Sequence, residues 1–583
     1  LDHIDTISAP FVHDVTKEIL TQSVEQEDIR IIKKCHIRYE GTDSSLLVDF
    51  DTLEMMQENF EKAHKQRFGF IAKERALIVE ALSVEGVGHC ETVKEDINHL
   101  VKRTDLSAEV RPDDTVMMIS ESKQTKTPLI LRENIRQGQE IKGPAIIAEK
   151  TGTVIIEAGW LAQTDRYDNL IIERYIVREK QHAIGTSADP VMLEVFNNLF
   201  MSIAEQMGAT LANTSYSVNI KERLDFSCAL FDQNGNLVAN APHVPVHLGS
   251  MGESIKTIIR ENGSSMQPGD AYMLNAPYNG GTHLPDVTVI TPVFDHNGND
   301  ILFYLGSRGH HADIGGRTPG SSPPDSKHIE DEGVLIDNFH LVKKGVLQDA
   351  ETRKLLCSGR YPCRNVDQNM ADLTAQIAAN TTGSVELHKM VDTFGIDVVH
   401  AYMKHVQDNA EESVRRVVDV LQDCSFTYPM DEGRQIEVKI SVDRKRREAT
   451  IDFSGTSPQS VGNYNAPAGV CKAAVLYVFR TLVADNIPLN EGCMNPLRLN
   501  IPKKSMINPE YPAAVISGNT EVSQGITDAL FGALGVLASS QGTMNNFVYG
   551  NATHQNYETI CGGTGAGPDH PGTSAVHSHM TNT

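Results

Sequence analysis

The stretch that most restricts how this chain can fold is residues 268–319. Two runs rich in β-branched and aromatic residues, 288–294 and 301–305, lie there between glycine-rich polar turns. Such runs are strands, because branched and aromatic side chains suit a pleated, half-buried surface. Ligand-type side chains cluster at their ends: Thr-His-Leu-Pro-Asp (282–286) before the first run, and Arg-Gly-His-His-Ala-Asp-Ile-Gly-Gly (308–316) after the second. Imidazole with carboxylate suits a divalent ion such as Zn or Mn. His283, Asp286, His310, His311 and Asp313 are therefore candidates for a metal or catalytic centre. Histidine, asparagine and glycine are also ordinary turn residues, so residue type leaves a plain polar turn as the alternative.

A chain of 583 residues exceeds what one hydrophobic core supports, so about two to four domains are expected. The formal charge of −24 argues against nucleic acid or an anionic membrane as the main partner. The nine cysteines contain no CxxC pair, and several sit among apolar or small residues. Reduced thiols in a cytoplasmic setting fit that usage. No apolar run approaches the roughly 18 residues of a spanning helix. The start of the chain has neither a signal peptide's basic and apolar regions nor a Met. Both ends read as cuts within a longer polypeptide.

Along the chain, residues 1–20 read as a turn at Ser8-Ala9-Pro10 and a short amphipathic run. Strand patterns follow from Ile29, then a helix from Leu53 to about Lys65 with apolar residues at helical spacing. Residues 76–89 are strand-like again, and 137–174 alternate in short strands broken by glycine turns, as in a small barrel or sandwich. After a helix-compatible segment at 178–185, a compositional break at 186–190 marks a boundary. The resulting expectation is a multidomain, mixed α/β (α+β) chain, with a β-rich domain at 75–176, a linker at 177–189 and a larger body from 190. That body opens on a long helix capped by Asp189 with Pro190 in its first position.

Residues 228–239 read as a hairpin through Asp232-Gln233-Asn234-Gly235. His243 and His247 follow it, and Pro245 between them argues against a shared helix face. Residues 369–380 read as a helix placing Asp372 and Gln376 one turn apart; 384–423 are largely helical, and 467–484 are a buried helix. The basic 443–448 segment reads as a solvated turn. Near the C-terminus, Asn519, Glu521, Gln524, Asn545 and Asn546 crowd an otherwise apolar region. Buried amides and carboxylates need partners, so these residues suggest either a polar pocket wall or a structural network. Residues 561–568 are glycine-rich but lack the spacing and ending of a phosphate loop.

Several of these stretches together resemble a known family. Residues 225–254, 275–294, 309–316, 540–551, 557–567 and 577–583 resemble the hydantoinase B/oxoprolinase family. Residues 1–176, through Arg67-Phe68-Gly69-Phe70 and segments 143–165 and 169–175, look like the C-terminal part of hydantoinase A. The resemblance implies ATP-dependent hydrolysis of the internal amide of 5-oxo-L-proline to L-glutamate. Phosphorylation of the lactam oxygen would create an imidate-like carbon open to water, and the B-like region would carry out the hydrolysis. ATP and Mg would bind in an N-terminal region missing from this chain, so the isolated fragment is expected not to turn over ATP. N-methylhydantoinase and a non-catalytic assembly scaffold are the alternatives.

For the site, the resemblance implies a divalent metal (Mn, Zn or Mg) at His283 and Asp286, joined by His310 or His311 and by Asp313. Adjacent histidines on a strand point opposite ways, so one of His310 and His311 is expected to ligate. His247, His243, Asp232, His311 and Glu521 are candidates for general base or other catalytic roles, and Asn275, Asn519, Gln524, Asn545 and Asn546 for contacts to substrate. Ala276 stands where carboxylating relatives tend to have Asp, which would leave the site one carboxylate poorer. The family's usual oligomers imply a homo-oligomer.

Overall fold

In a computed structural model of the chain, the described residues are all except 1–3, 23, 41–44, 73–74, 89–109, 121–122, 137, 166, 177–184, 242, 485–486, 552–554 and 582–583. They form a mixed α+β architecture of two compact units: Leu1–Ile32 with Val84–Ile184, and Lys33–Ser83 with Gly185–Thr583. Most of the 177–189 segment assigned to a linker, and the helix expected at 178–185, lie outside the described residues.

The smaller unit opens on a helix, Ile4–Leu20, that runs through Pro10, where the sequence suggested a turn. Proline inside a helix forfeits one backbone hydrogen bond, and here the helix continues past it. The short alternating strands form two small sheets. One contains Asp114–Ser120, Lys123–Leu131, Ala145–Ala148 and Thr153–Ile156; the other contains Glu140–Lys142, Trp160–Thr164 and Leu170–Arg174. Ile130, Ile147 and Ile156 from the first share a core with Ile141 and Ala162 from the second, which is the packing that period-2 alternation dictates.

The larger unit is built on seven antiparallel strands: β1 (Phe226–Phe231), β2 (Leu237–Asn240), β3 (Ala271–Leu274), β4 (Asp286–Phe294), β5 (Ile301–His310), β6 (Phe339–Lys343) and β7 (Val346–Leu347). Their order is β2-β1-β5-β4-β3-β6-β7. The β4–β5 register sets Asp286 opposite His310 and Thr288 opposite Arg308. Two clusters that are 24 residues apart in sequence thus meet at one end of the sheet.

Helices cover both faces. Six are used below: α1 (Pro190–Thr214), α2 (Pro245–Asn262), α3 (Val366–Phe394), α4 (Ile396–Val420), α5 (Ala468–Thr481) and α6 (Ser523–Leu534). The alternation along β5 shows which face each helix covers. A Cβ on Gly306 would meet Met251 and Ile255 of α2, whereas one on Gly309 would meet Ile220 and Gln376 of α3. Arg308 reaches Ser254 of α2 (2.8 Å), while the Ser307 hydroxyl donates to the Gln376 carbonyl of α3 (3.2 Å). Even-numbered residues at this end of β5 therefore face α2, and odd-numbered ones face α3.

Buried polar residues of α3 tie it to the sheet: Gln376 Nε2 donates to the Val287 and Ser307 carbonyls at 2.9 Å each, and Asn380 Nδ2 to Val289 at 3.1 Å. On the other face α5 lies close against α2, where a Cβ on Gly249 would come within 2.3 Å of the Ala473 backbone. Beyond α5, α4 and α6 share a core with a four-stranded sheet (Cys424–Pro429, Gln435–Asp443, Glu448–Asp452, Leu497–Asn500). The basic turn at 443–448 is held by acids, Arg447 binding Glu412 (2.9 Å) and Asp419 (2.7 Å). Asp189 caps α1, accepting from the Met192 amide at 2.9 Å, and Phe196, Phe200, Met207 and Leu211 fill its buried face. Among the described residues no helix is long and apolar enough to cross a membrane.

Candidate metal centre

The turn between β3 and β4 sets the first two ligands. Asn275 pins it, donating to the Leu284 (2.8 Å) and Val334 (3.0 Å) carbonyls and accepting from the Ile336 amide (2.7 Å). A Cβ on Gly281 would sit 2.2 Å from the Asn275 carbonyl oxygen, so this turn closes only over a bare backbone. It delivers His283 and, at the first residue of β4, Asp286. His310 arrives at the last residue of β5, on the face turned to α2. There His247 projects from the first turn of that helix, which starts at Pro245.

Ligand atoms of His283, Asp286 and His310 lie within 4.8 Å of one another, and all three residues are buried. Asp286 Oδ2 is fixed by the Thr282 hydroxyl (2.7 Å) and the Asn519 amide (2.8 Å). Its Oδ1 lies 3.0 Å from His283 Nε2 and 3.3 Å from His247 Nε2, yet makes no aligned hydrogen bond. A fully buried carboxylate oxygen left without a hydrogen bond is costly. The ligand atoms of His283, Asp286 and His310 lie close enough together for one cation to bridge them. Two imidazoles and a carboxylate fit a divalent ion of the Zn or Mn kind. His310 Nδ1 is 3.1 Å from the Asn219 side-chain amide nitrogen, a contact that fixes the ring's orientation. The surrounding cleft is small and is also lined by Asp225, His247, Asn519, Thr520 and Met544.

The electrostatics follow from burial and crowding. Burial opposes ionisation of Asp286, but the His283 and His247 imidazoles outweigh it and hold the carboxyl well below its ordinary range. Burial also opposes the charged form of His283, but Asp286 raises it. Burial, reinforced by His283, pushes His310 well down. Asp225 is pushed up to about 6 by burial, against the lowering influence of His247. One acid with a raised pKa and one held well below the ordinary range thus face the same small space.

The structure gathers His247, His283, Asp286, His310 and Asn519 here, and sends the other sequence candidates elsewhere. His311 faces α3, with Nε2 3.1 Å from Gln376 Oε1 and Nδ1 3.1 Å from Asn369 Nδ2. Asp313 does not join the cluster. Its oxygens accept from the amides of Gly315 (2.9 Å) and Gly320 (3.0 Å) and from Arg364 (2.8 Å), holding the glycine loop. Asp232 closes the β1–β2 turn, accepting from the Asn234 and Asn236 amides at 2.9 Å each. His243 Nδ1 accepts from the Cys228 amide (3.1 Å), and burial pushes its pKa down to about 4. Asn275 serves the turn and is absent from the cleft wall. Of the C-terminal polar residues, Glu521 accepts from Thr543 (2.6 Å), and burial raises its pKa. Gln524 donates to Thr581 (2.8 Å), Asn546 accepts from Thr559 (2.9 Å), and Asn545 is exposed on a hairpin.

Three residues at the site carry little sequence signal: Asp225, Asn219 and Arg308. Asp225 immediately precedes β1, a position at a strand end that could have been flagged. Arg308 is fully buried yet binds hydroxyls and no carboxylate: Thr288 (2.7 Å), Ser254 (2.8 Å) and Ser250. It ties β5 and β4 to α2, the helix that presents His247.

The chain belongs to the hydantoinase/oxoprolinase family: residues 189–583 match hydantoinase B/oxoprolinase, and residues 3–173 match the hydantoinase/oxoprolinase C-terminal domain. Among curated proteins it is similar to the 5-oxoprolinase of Dictyostelium discoideum, 41% identical over 580 residues (97% of this chain, 45% of that protein). It is equally similar to 5-oxoprolinase 1 of Arabidopsis thaliana, 41% identical over 602 residues (98% and 47%). The chain spans about half the length of these relatives. Among solved structures it is similar to the ATP-dependent caprolactamase from Pseudomonas jessenii, with a TM-score of 0.60 and 25% identity over 67% of this chain and 70% of that one. Acetone carboxylase shares the fold, with a TM-score of 0.57 and 16% identity over 68% of this chain and 56% of that one.

Proposed function

We propose that this chain carries the ring-opening centre of an ATP-dependent 5-oxoprolinase, which hydrolyses 5-oxo-L-proline to L-glutamate. The observation that carries the reading is Asp286 Oδ1, buried and without a hydrogen bond between two imidazoles, in a chain 41% identical to 5-oxoprolinases. A divalent ion held by His283, Asp286 and His310 would polarise oxygen atoms and make water more acidic. His247 presents Nε2 to the cleft while Ser227 Oγ lies 3.2 Å from its Nδ1, which suits it to take a proton from the attacking water. Asp225, with its pKa raised to about 6, can hold a proton for the departing ring nitrogen. The water oxygen bonds to the lactam carbon, the C–N bond breaks, and the nitrogen leaves as an amine after protonation. ATP supplies the activation by phosphorylating the lactam oxygen; ring opening by the first water leaves an acyl phosphate, and a second water cleaves its P–O bond to release phosphate and the carboxylate. Free thiols at the described cysteines support a cytoplasmic setting.

The similarity to a lactam-opening enzyme favours a lactam over a hydantoin ring. The test is to supply the polypeptide containing this chain with ATP and either 5-oxo-L-proline or hydantoins. ADP and L-glutamate should form from the former; turnover of hydantoins only would overturn the assignment.

A further inference from the structure

A second cavity, of about 940 Å³ including its mouth, lies within the larger unit and shares no lining residue with the metal cleft. Its floor is aromatic: Tyr39, Phe68 and Phe70 surround His64, whose ring lies 4.9, 4.5 and 5.1 Å from theirs. His64 is only 6% exposed. Its Nδ1 is 3.0 Å from the Phe70 carbonyl oxygen. A carbonyl only accepts, so Nδ1 carries the hydrogen and Nε2 presents a lone pair. Burial keeps the ring neutral, pushing its pKa down to about 4 against the Phe70 hydrogen bond. Among the described residues Nε2 has no hydrogen-bond partner, and it is not sealed in protein, so it opens into the cavity that His64 lines.

The mouth carries net positive charge. Arg75 is paired with Asp349 (2.5 Å), and Asp367 is paired with Arg353 (2.7 Å). Lys221, also lining the cavity, is exposed and pairs with no acid among the described residues. The wall thus offers an aromatic floor, one buried acceptor and one unpaired ammonium.

We infer that this cavity binds a small amphipathic anion, whose ring-bearing body stacks on the aromatic floor, whose N–H or O–H donates to His64 Nε2, and whose acid group meets Lys221. The inference is independent of the reaction assigned to the metal cleft. A suitable probe is 8-anilinonaphthalene-1-sulfonate, which combines fused rings, an N–H and a sulfonate and fluoresces when shielded from water. Titrated into the chain, it should saturate a site whose Kd rises roughly tenfold in Lys221→Glu, as expected when attraction becomes repulsion near a partly desolvated anion. Ala371→Trp, which fills the cavity from α3, should abolish that site, while His283→Ala should leave its Kd within about twofold, since the two pockets share no wall. Lys221 is exposed, so its variant is expected to fold and keeps the test decisive if the tryptophan variant does not. An unchanged Kd in Lys221→Glu, or loss of the site in a folded His283→Ala, would overturn the inference.

Discussion

His64 makes the stability of the larger unit depend on pH in a way that can be worked out from its surroundings. Burial among Tyr39, Phe68 and Phe70 lowers its pKa from the ordinary 6.5 to about 4. Between those values the unfolded chain binds a proton that the folded chain refuses, so stability rises with pH across this window and is lost as pH falls. At about pH 8 both states are neutral and the stability is complete; at about pH 5 the proton uptake of the unfolded state costs about 2 kcal/mol. Replacing His64 with Phe keeps an aromatic ring in the cluster and removes the titration, whatever constant packing change it adds. Urea unfolding followed by far-UV circular dichroism reports mainly on the larger unit, which holds most of the helices. From about pH 8 to about pH 5 the wild type should lose about 2 kcal/mol more than His64→Phe. Parallel losses in the two proteins would show that His64 protonates freely in the folded state and would refute the reasoning.

Arg308→Met should destabilise the larger unit by about 2–3 kcal/mol, because three buried hydroxyls lose a charged donor. Arg308→Lys should recover only part of this, since an ammonium cannot span three partners as a guanidinium does; equal urea midpoints for all three proteins would contradict it. Asn219→Ala, which frees His310 Nδ1 from its 3.1 Å contact, should weaken binding of Mn²⁺ or Zn²⁺ by about 10–100-fold. Calorimetric titration measures this, and an unchanged affinity would remove Asn219 from the site.

Much of the scaffold was legible because local chemistry agreed with the fold. The Asp189 cap with Pro190 marked α1, and β-branched runs marked β4 and β5. Alternating residues marked the small sheets of the other unit, and the spacing of Asp372 and Gln376 matched α3. The ligand trio was legible as two motifs, but their union was not, because it depends on a register that pairs Asp286 with His310. Parity along β5 then separates His310 from His311, a choice the sequence could frame but not make. Pro245 separates His243 from His247 as the sequence indicated: it starts α2, where its missing amide hydrogen would be unpaired anyway, so His247 lies on the helix and His243 before it. The region from Ser517, which the sequence left open as a polar pocket wall or a structural network, includes a π-helical turn, Gly518–Val522, running into α6. That wide turn carries Asn519, which reaches Asp286, while Glu521 and Gln524 find other partners. Asp313 has the composition of a ligand, but its carboxylate holds the glycine loop through Gly315, Gly320 and Arg364.

Metal binding to the wild-type chain and to Asp286→Ala tests the central claim most directly. Calorimetric titration with Mn²⁺ or Zn²⁺, combined with elemental analysis, should give about one tightly held equivalent per wild-type chain. Asp286→Ala should lose it, and Asp232→Asn, altered only in a hairpin turn, should retain it. A wild-type chain that binds no stoichiometric divalent ion, or an Asp286→Ala variant that binds it equally well, would contradict the account.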